Sequence, residues 1–232
     1  MKGSSGRGGG TIGLYLILLG LPGAGKGTQA VLIAQAASIV HITSGELFRE
    51  NIRKQTELGR EAQPFVEQGK LVPDELTIGM LLDRISQPDA VKGFVLDGFP
   101  RNVDQAKALD EALAGNGKTI DMALYIEVST DELVRRLSGR WNCGKCGAVY
   151  HEESRPPKVS GACDRCSGQL YQREDDRPDV VRTRLKVNVK EMEPLLQYYR
   201  SGCKLYEVNG EPGVDAVKDS LLEAMSRGQE VR

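Results

Sequence analysis

The segment GLPGAGKGTQ, residues 20–29, has the composition of a loop that binds phosphate groups. The general pattern of such loops is G-x-x-x-x-G-K-[ST]: main-chain N–H groups surround phosphate oxygens and the lysine reaches the terminal phosphates. The first glycine, Gly25 and Lys26 fit, but Gly27 follows the lysine and the hydroxyl of Thr28 comes one position late. Because Mg²⁺ readily keeps several waters, Thr28 could serve it directly or through water. The segment therefore predicts a nucleotide-binding loop.

A carboxylate at a second position could hold the waters of that magnesium ion. Asp97 follows the apolar run Phe94-Val95-Leu96 and begins the turn DGFPR. A carboxylate at the end of a buried strand beside a phosphate loop is placed like the acidic residue that anchors a metal in other phosphate-loop proteins. The alternative is an aspartate that only stabilises the turn. We favour the metal role because a phosphate loop is predicted in the same sheet.

Four of the five cysteines form two Cys-x-x-Cys pairs: Cys143 with Cys146, and Cys163 with Cys166. Each pair directs two thiolates at one point, and two pairs complete a tetrahedron around one metal ion. Because all four positions are filled by protein ligands, we predict a structural zinc ion (Zn²⁺). The fifth cysteine, Cys203, is separate in sequence, and we expect it to be a small buried apolar residue.

The composition is that of an ordinary globular protein, with 40% hydrophobic and 27% charged residues and a formal net charge of −1. No block of like charge indicates a nucleic-acid-binding face, and no apolar run is long enough to cross a bilayer. Residues 1–13 are rich in Gly and Ser, lack the apolar stretch of a signal peptide, and are expected to be a disordered extension or tag. These features predict a cytoplasmic protein with reduced thiols, which favours metal binding over disulfides.

Short apolar runs alternate with helical patterns along the chain. Strands are predicted over 15–19, 93–97, 122–128 and, more weakly, 204–208, and the glycine loop directly follows the first of them. Helices are predicted for the segments after the glycine loop, from 104 to 114, from 131 to 137 and from 178 to 200. This alternation predicts an α/β fold with a parallel sheet, whose ligands bind at the carboxyl ends of the strands. The cysteine-containing segment, 140–177, interrupts the alternation and reads as a small inserted domain.

Several arginines lie next to these motifs. Two polyphosphates that meet head to head need several cations around them, so arginines near the predicted loops are candidates for phosphate contacts. The candidates are Arg49, Arg101, Arg136, Arg140, Arg173 and Arg184. The two histidines, His41 and His151, are not spaced as a metal or catalytic pair and are expected to be structural.

Five segments taken together resemble the adenylate kinases. They are GLPGAGKGTQ at 20–29, ITSGELFR at 42–49, GKLVPDE at 69–75, GFVLDGFPRN at 93–102 and REDDRPDVVRTRL at 173–185. The resemblance covers nearly the whole chain from Leu14 onward and is closest to the bacterial type with a long, zinc-binding lid. The family's loop reads GxPGxGKGT, so Gly27 is a family feature and not a damaged phosphate loop.

The resemblance implies the fold of P-loop nucleoside monophosphate kinases: a parallel five-stranded sheet with helices on both faces, a small helical flap and an inserted zinc-binding lid. The core would comprise 14–42, 73–138 and 177–232, the flap that binds the monophosphate 43–72, and the lid 139–176. The implied activity is the reversible, Mg²⁺-dependent reaction of ATP and AMP to two ADP, carried out by a monomer without nucleic-acid or membrane partners.

The resemblance also implies a role for each matching residue. Lys26, Arg101, Arg136, Arg140, Arg173 and Arg184 would act on the transferring phosphates. The ATP site would comprise Gly23, Ala24, Gly25, Lys26, Gly27, Thr28, Arg136, Arg140, Val149, Tyr150 and the backbone at Pro212. The AMP site would comprise Ser44, Arg49, Lys70, Leu71, Val72, Gly98, Phe99, Pro100, Arg101, Gln105, Arg173 and Arg184. Many members have threonine where this chain has Ser44, which keeps the hydroxyl but loses the methyl group.

Two other functions are compatible with parts of the sequence. A kinase for UMP, CMP or another monophosphate would share the phosphate loop, but a short lid would favour it and this lid is long. A zinc ribbon that binds nucleic acid would need a basic face, whereas the charges around these cysteines are mixed: Lys145, Arg155, Lys158 and Arg165 with Glu152, Glu153 and Asp164. The second alternative also leaves the phosphate loop unexplained.

Overall fold

A five-stranded parallel sheet forms the centre of the molecule. The structure, a computed structural model, describes residues 13–67, 72–172, 176 and 178–230, with the side chains of 178, 179 and 184 not described. The sheet has the order β2-β3-β1-β4-β8, and each neighbouring pair is parallel. Its strands are β1 (Leu14–Leu19), β2 (Val40–Thr43), β3 (Gly93–Asp97), β4 (Met122–Glu127) and β8 (Leu205–Asn209).

Helices connect the strands and cover both faces of the sheet. They are α1 (Lys26–Ala37), α2 (Ser44–Lys54), α3 (Glu57–Glu67), α4 (Asp74–Ile85), α5 (Val103–Ala114), α6 (Thr130–Ser138), α7 (Pro178–Ser201) and α8 (Val214–Glu230). A short 3₁₀ turn, Pro88–Ala90, precedes β3. The predicted α/β fold with a parallel five-stranded sheet is thus confirmed.

Strand β1 is central because both of its faces are apolar. Leu16 and Leu18 pack into one buried cluster with residues of α1, α6 and α8, whereas Ile17 and Leu19 pack into a second with residues of α4, α5 and α7. Side chains alternate between the faces of a strand, so only a continuous apolar run can supply both clusters. The end of β1, where the glycine loop begins, is therefore held by packing on both sides.

The cysteine-containing segment forms a separate small sheet of three antiparallel strands in the order β6-β5-β7. The strands are β5 (Arg140–Cys143), β6 (Val149–His151) and β7 (Leu170–Tyr171). Among the residues that the structure describes, its buried cluster comprises Cys143, Tyr150, Cys163 and Leu170, with Trp141 packed against it. Such a small apolar core gives the segment little stability of its own.

Three sequence interpretations need correction or completion. Cys203 is exposed and has a positive φ of 55°, so the expectation that it is buried was wrong; it lies in the tight turn between α7 and β8. Strand β2 was not recognised in the pattern, and neither was helix α8. The boundaries of the flap and of the lid remain predictions.

Within the described part of the chain, no helix combines the length and the apolar character needed to cross a bilayer.

Candidate functional site

The predicted phosphate loop connects the carboxyl end of β1 with the amino end of α1. Gly23 and Gly25 have φ values of 89° and 92°, which a residue with a side chain rarely adopts, so glycine is required at both positions. Gly25 precedes the first helical residue, Lys26. The loop therefore directs the free N–H groups and the positive end of α1 towards the carboxyl edge of the sheet, the arrangement that binds phosphate.

The Lys26 side chain folds over this loop. Its Nζ donates to the carbonyl oxygens of Gly20 and Leu21 at 2.7 and 3.1 Å. These main-chain acceptors hold the ammonium group at the mouth of the loop. Gly23 also lies close to α6, because a Cβ atom placed there would come within 3.0 Å of Leu137.

Asp97 lies directly opposite the start of α1. A Cβ atom placed at Gly27 would lie 3.5 Å from Asp97 Oδ2, so the backbone after the lysine and this carboxylate are in van der Waals proximity. His41, on the neighbouring strand β2, has its Nε2 3.7 Å from the same oxygen. Two of the predicted magnesium-site elements, the helix start that carries Thr28 and Asp97, are thus brought together.

The turn after β3 and the start of α2 bring several predicted AMP-site residues together. Ser44 is buried, and its hydroxyl donates a hydrogen bond to the carbonyl oxygen of Gly98, with an O–O distance of 3.4 Å. Thr43 caps α2 by accepting a hydrogen bond from the N–H of Glu46, which fixes where the helix begins. In the turn itself, Arg101 Nε donates to the Gly98 carbonyl at 3.0 Å.

Gln105 is buried, and both ends of its carboxamide are hydrogen-bonded. Oε1 accepts from the main-chain N–H of Arg101 at 2.7 Å, and Nε2 donates to Asp74 Oδ1 at 2.8 Å. Asn102 caps α5 by accepting from the N–H of Gln105, which places this residue in the first turn. Gln105 therefore does not simply face solvent.

Arg49 lines a cavity of about 560 Å³ between β2 and α2, a volume within the range of ligand pockets. Two further arginines, Arg53 and Arg84, and the carboxylates of Glu46 and Glu50 also line it. A smaller hollow beside it, which shares Ile42 and Leu47 with it, is lined by Ser44, Asp97 and Phe99. Arg49 is thus near the other predicted AMP-site residues, but it lines the larger cavity whereas Ser44 and Phe99 line the smaller one.

Arg136 connects α6 with the loop that precedes α8. Its Nε donates to Glu132 at 2.7 Å, and its Nη2 donates to the carbonyl oxygens of Gly210 and Glu211 at 3.0 and 3.2 Å. This guanidinium is therefore adjacent to Pro212, another residue predicted for the ATP site. Hydrogen bonds from Arg135 in particular, and from Arg136, lower the pKa of Glu132 to about 2, so its carboxylate is charged at neutral pH.

Arg140 is bound by a fully buried carboxylate. Its Nε and Nη2 donate to the two oxygens of Asp176 at 2.7 and 2.5 Å, a bidentate pair. A second contact, from Gln172 Nε2 to the Ser138 carbonyl at 2.6 Å, lies nearby. Both contacts connect the chain where it enters the cysteine-containing segment with the chain where it leaves.

The four predicted ligand cysteines converge on one point. Their sulfur atoms lie within 4.8 Å of one another, with Sγ–Sγ distances of 3.5 Å for Cys143 and Cys166 and 3.6 Å for Cys146 and Cys163. A tetrahedral zinc ion with Zn–S bonds of about 2.3 Å places its sulfurs about 3.8 Å apart, so the donor set fits such an ion. The structure therefore contains a group that could hold one metal ion.

The surroundings of Cys163 favour its thiolate form, which is the form that binds metal. The hydroxyl of Tyr150 hydrogen-bonds to its Sγ, and this contact lowers the pKa of Cys163 to about 6. Tyr150 also accepts a hydrogen bond from the N–H of Asp164. The Tyr150 side chain is thus held within the cysteine cluster, whereas the Val149 side chain is exposed.

Some predicted residues cannot be placed. Lys70, Leu71 and Arg173 lie outside the described residues, and so does the side chain of Arg184, although its backbone belongs to α7. Val72 lies at the edge of the described range, just before α4.

The sequence reasoning missed the carboxylates that hold these groups. Asp74 binds Gln105 across 31 positions of sequence, and Asp176 binds Arg140 across 36. No local pattern predicts such pairs. Glu132 could have been found, because it precedes Arg136 by four residues on a predicted helix.

Comparison with known proteins agrees with the architecture and the motifs. A family model described as adenylate kinase matches residues 18–204. The adenylate kinase of Acetivibrio thermocellus is 50% identical over 213 residues, covering 92% of this chain and 98% of that protein. That of Staphylococcus epidermidis is 48% identical over 212 residues (91% and 99%), and that of Clostridioides difficile is 48% identical over 216 residues (93% and 100%). The chain belongs to the adenylate kinase family, a family of phosphotransferases that act on nucleoside monophosphates.

Proposed function

We propose that this protein catalyses the reversible transfer of the terminal phosphoryl group of ATP to AMP, giving two ADP, as a cytoplasmic monomer. The observation that carries this proposal is the arrangement at the carboxyl edge of the sheet. The glycine loop with Lys26 follows β1, and the adjacent strand β3 leads through the turn that contains Arg101 into the first turn of α5, which contains Gln105. The proposed phosphate site and the amide proposed to read the base thus follow neighbouring strands.

Lys26 supplies a positive charge to the transferring phosphates. Its Nζ donates to the carbonyl oxygens of Gly20 and Leu21, which hold the ammonium group at the loop and can be exchanged for phosphate oxygens. The N–H groups from Gly23 to Thr28 would surround the other phosphates. Because phosphoryl transfer needs little covalent chemistry from the protein, positioning and charge are sufficient for catalysis.

Arginines would supply further positive charge around the phosphates of the two nucleotides. Arg136 and Arg140 enter from α6 and β5 on the ATP side, and Arg101 enters from the turn after β3 on the AMP side; Arg49, Arg173 and Arg184 are further candidates. Glu132 and Asp176 keep the first two guanidinium groups in place. Closure of the flap (43–72) and the lid (139–176) would then exclude water, the competing acceptor.

Two metal ions belong to the proposal. Thr28 and Asp97 would hold a magnesium ion through its waters, and the bound ion would supply positive charge to the phosphates. A structural zinc ion would be held by the four cysteines, with no open position for chemistry. It would stabilise the small sheet that carries Val149 and Tyr150. Neither nucleic acid nor membrane is a proposed partner.

The alternative is a kinase for UMP, CMP or another monophosphate. A coupled assay with ATP, Mg²⁺ and each of AMP, GMP, CMP and UMP decides between them. We expect kcat/KM for AMP to exceed the other values by at least tenfold, since the buried amide of Gln105 offers both a donor and an acceptor to adenine. Equal or higher values for UMP or CMP would contradict the proposal.

A further inference from the structure

We propose that Asp74 determines the preference for adenine by fixing the orientation of the Gln105 carboxamide. The inference rests on the proposed AMP site and names a residue that lies within the segment GKLVPDE but is not among the expected site residues. Asp74 lies in the first turn of α4, and its Oδ1 accepts a hydrogen bond from Gln105 Nε2 at 2.8 Å.

The two partners of Gln105 allow only one orientation of its amide. A carboxylate accepts hydrogen bonds, so the NH₂ group must face Asp74, and a main-chain N–H only donates, so the oxygen must face Arg101. In the flipped orientation, Oε1 would face the carboxylate and Nε2 would face the N–H of Arg101. Both contacts would then be repulsive. Since Gln105 is only 8% exposed, water cannot easily compensate for them.

The fixed amide matches adenine and opposes guanine. A carboxamide has two N–H donors and two acceptor lone pairs, and each of the observed contacts uses one. The remaining N–H can donate to adenine N1, and the remaining lone pair can accept from the 6-amino group. Guanine presents the opposite pattern, an N–H at position 1 and an oxygen at position 6, and would require the flipped amide. Asp74 thus raises the free energy of the guanine complex through Gln105, without contacting the base itself.

The experiment compares Asp74→Ala with Glu75→Ala. Both substitutions remove one carboxylate from the first turn of α4, but only Asp74 has the contact to Gln105. We expect Asp74→Ala to lower the AMP/GMP ratio of kcat/KM about tenfold, as expected when one orientation of a buried polar group is no longer enforced. Glu75→Ala should change the ratio less than twofold, and KM for ATP should be unchanged in both. Calorimetric binding of AMP and GMP alone should show the same loss of discrimination.

A Gln105→Leu variant separates this inference from the proposed function. If Gln105 reads the base, this variant loses the preference, and adding Asp74→Ala should lower the ratio no further. A lowered ratio in Gln105→Leu together with a wild-type ratio in folded Asp74→Ala would overturn the role of Asp74 while leaving the AMP site intact. An unchanged ratio in Gln105→Leu would contradict the proposed AMP site and the inference together.

Asp74→Asn is the second variant if Asp74→Ala does not fold. An asparagine amide can pair with Gln105 in either orientation, so the ratio should again fall by several-fold. A folded Asp74→Asn protein with the wild-type ratio would overturn the inference.

Discussion

The phosphate loop and the four-cysteine segment are both tight, glycine-containing structures, but they are stabilised in different ways. The phosphate loop follows a strand that is buried on both faces, within two large apolar clusters. The cysteine segment has three short strands and a cluster of four buried residues. The geometry of the first is determined by the packing of the core, whereas the second has a small apolar core, so we expect its stability to depend on the proposed metal ion.

This difference predicts separate consequences for substitutions in the two regions. A change of a side chain in the phosphate loop should affect activity and leave stability almost unaltered. A change of a cysteine ligand should affect local stability first and activity only through the lid. Each prediction below tests one side of this contrast.

The largest effect is expected for Lys26→Met. Methionine has a similar length but no charge, so the transferring phosphates lose one cation while the loop keeps its main-chain hydrogen bonds. We expect kcat to fall by a factor of about 10² to 10³, as for other single groups that stabilise transition-state charge. The melting temperature should fall by no more than about 4 °C, because the loss of the hydrogen bonds from Nζ to the Gly20 and Leu21 carbonyls costs about 1 kcal/mol while the core packing around β1 is unchanged.

The control for this variant is Lys92→Met, which removes an exposed lysine before β3. It should retain full activity. Near-normal turnover of a folded Lys26→Met protein would show that this lysine does not act on the phosphates. It would also contradict the expectation that changes in the phosphate loop act on activity.

The second prediction concerns the metal. Cys163→Ser replaces one of the four converging cysteines. In the wild type, the sulfur of Cys163 is hydrogen-bonded to the hydroxyl of the buried Tyr150. We expect the metal content to fall from about one ion per chain to a small fraction, because a four-coordinate site loses a ligand. The melting temperature should fall by several degrees, and ATP should still bind to the core loop, although more weakly.

Cys203→Ser is the matched control, since Cys203 is an exposed cysteine of the core and lies outside the cluster. Its metal content and melting temperature should equal those of the wild type. Metal-free wild-type protein with the stability of the loaded protein would show that the segment is stable without a metal, and the contrast would fail on the lid side.

A thiol titration sharpens the same point. The chain has five cysteines, of which Cys203 is exposed and the other four converge. We expect one thiol per chain to react quickly with an aromatic disulfide reagent in the metal-loaded protein, and all five to react after a chelator is added. Quick reaction of five thiols without a chelator would contradict metal ligation.

The sequence predicts the core better than the contacts within the site. Apolar runs were sufficient to predict the strands β1, β3 and β4, because burial of a strand in the sheet requires apolar residues. Helical spacing was sufficient to predict α7. Helix α8 could also have been predicted, since Val217, Leu221 and Ala224 recur at helical spacing. Strand β2 has only one buried residue and a half-buried remainder, so no clear pattern marks it.

The positions of the charged side chains depend on the tertiary fold. The sequence indicates that Arg140 and Gln105 are important, but not that Asp176 and Asp74 bind them, because each pair is formed by segments that only the folded chain brings together. Cys203 also shows that the tertiary fold can override an expectation based on residue type. A cysteine is usually buried, yet the turn between α7 and β8 exposes this one.

The smallest effect is expected at the junction of the two regions, where Glu132 of α6 binds Arg135 and Arg136 and Arg135 also binds Glu153 of the cysteine segment. Hydrogen bonds, first from Arg135, lower the pKa of Glu132 to about 2 in the folded protein, compared with 4.5 as its ordinary value. A carboxylate with a lowered pKa stabilises the fold above its unfolded pKa and loses that contribution as the pH falls towards its folded pKa.

Glu132→Gln should therefore cost about 1 kcal/mol near pH 7, after allowance for solvent screening of a partly exposed group, or about 2–4 °C in melting temperature. The difference from the wild type should be constant above about pH 5 and should narrow as the pH falls from about 5 to about 2. Glu153→Gln, which removes the more exposed partner on the lid side, should change the melting temperature by less than 1 °C at any pH. A pH-independent difference for Glu132→Gln would mean that the glutamate stabilises the junction by packing and not by its charge.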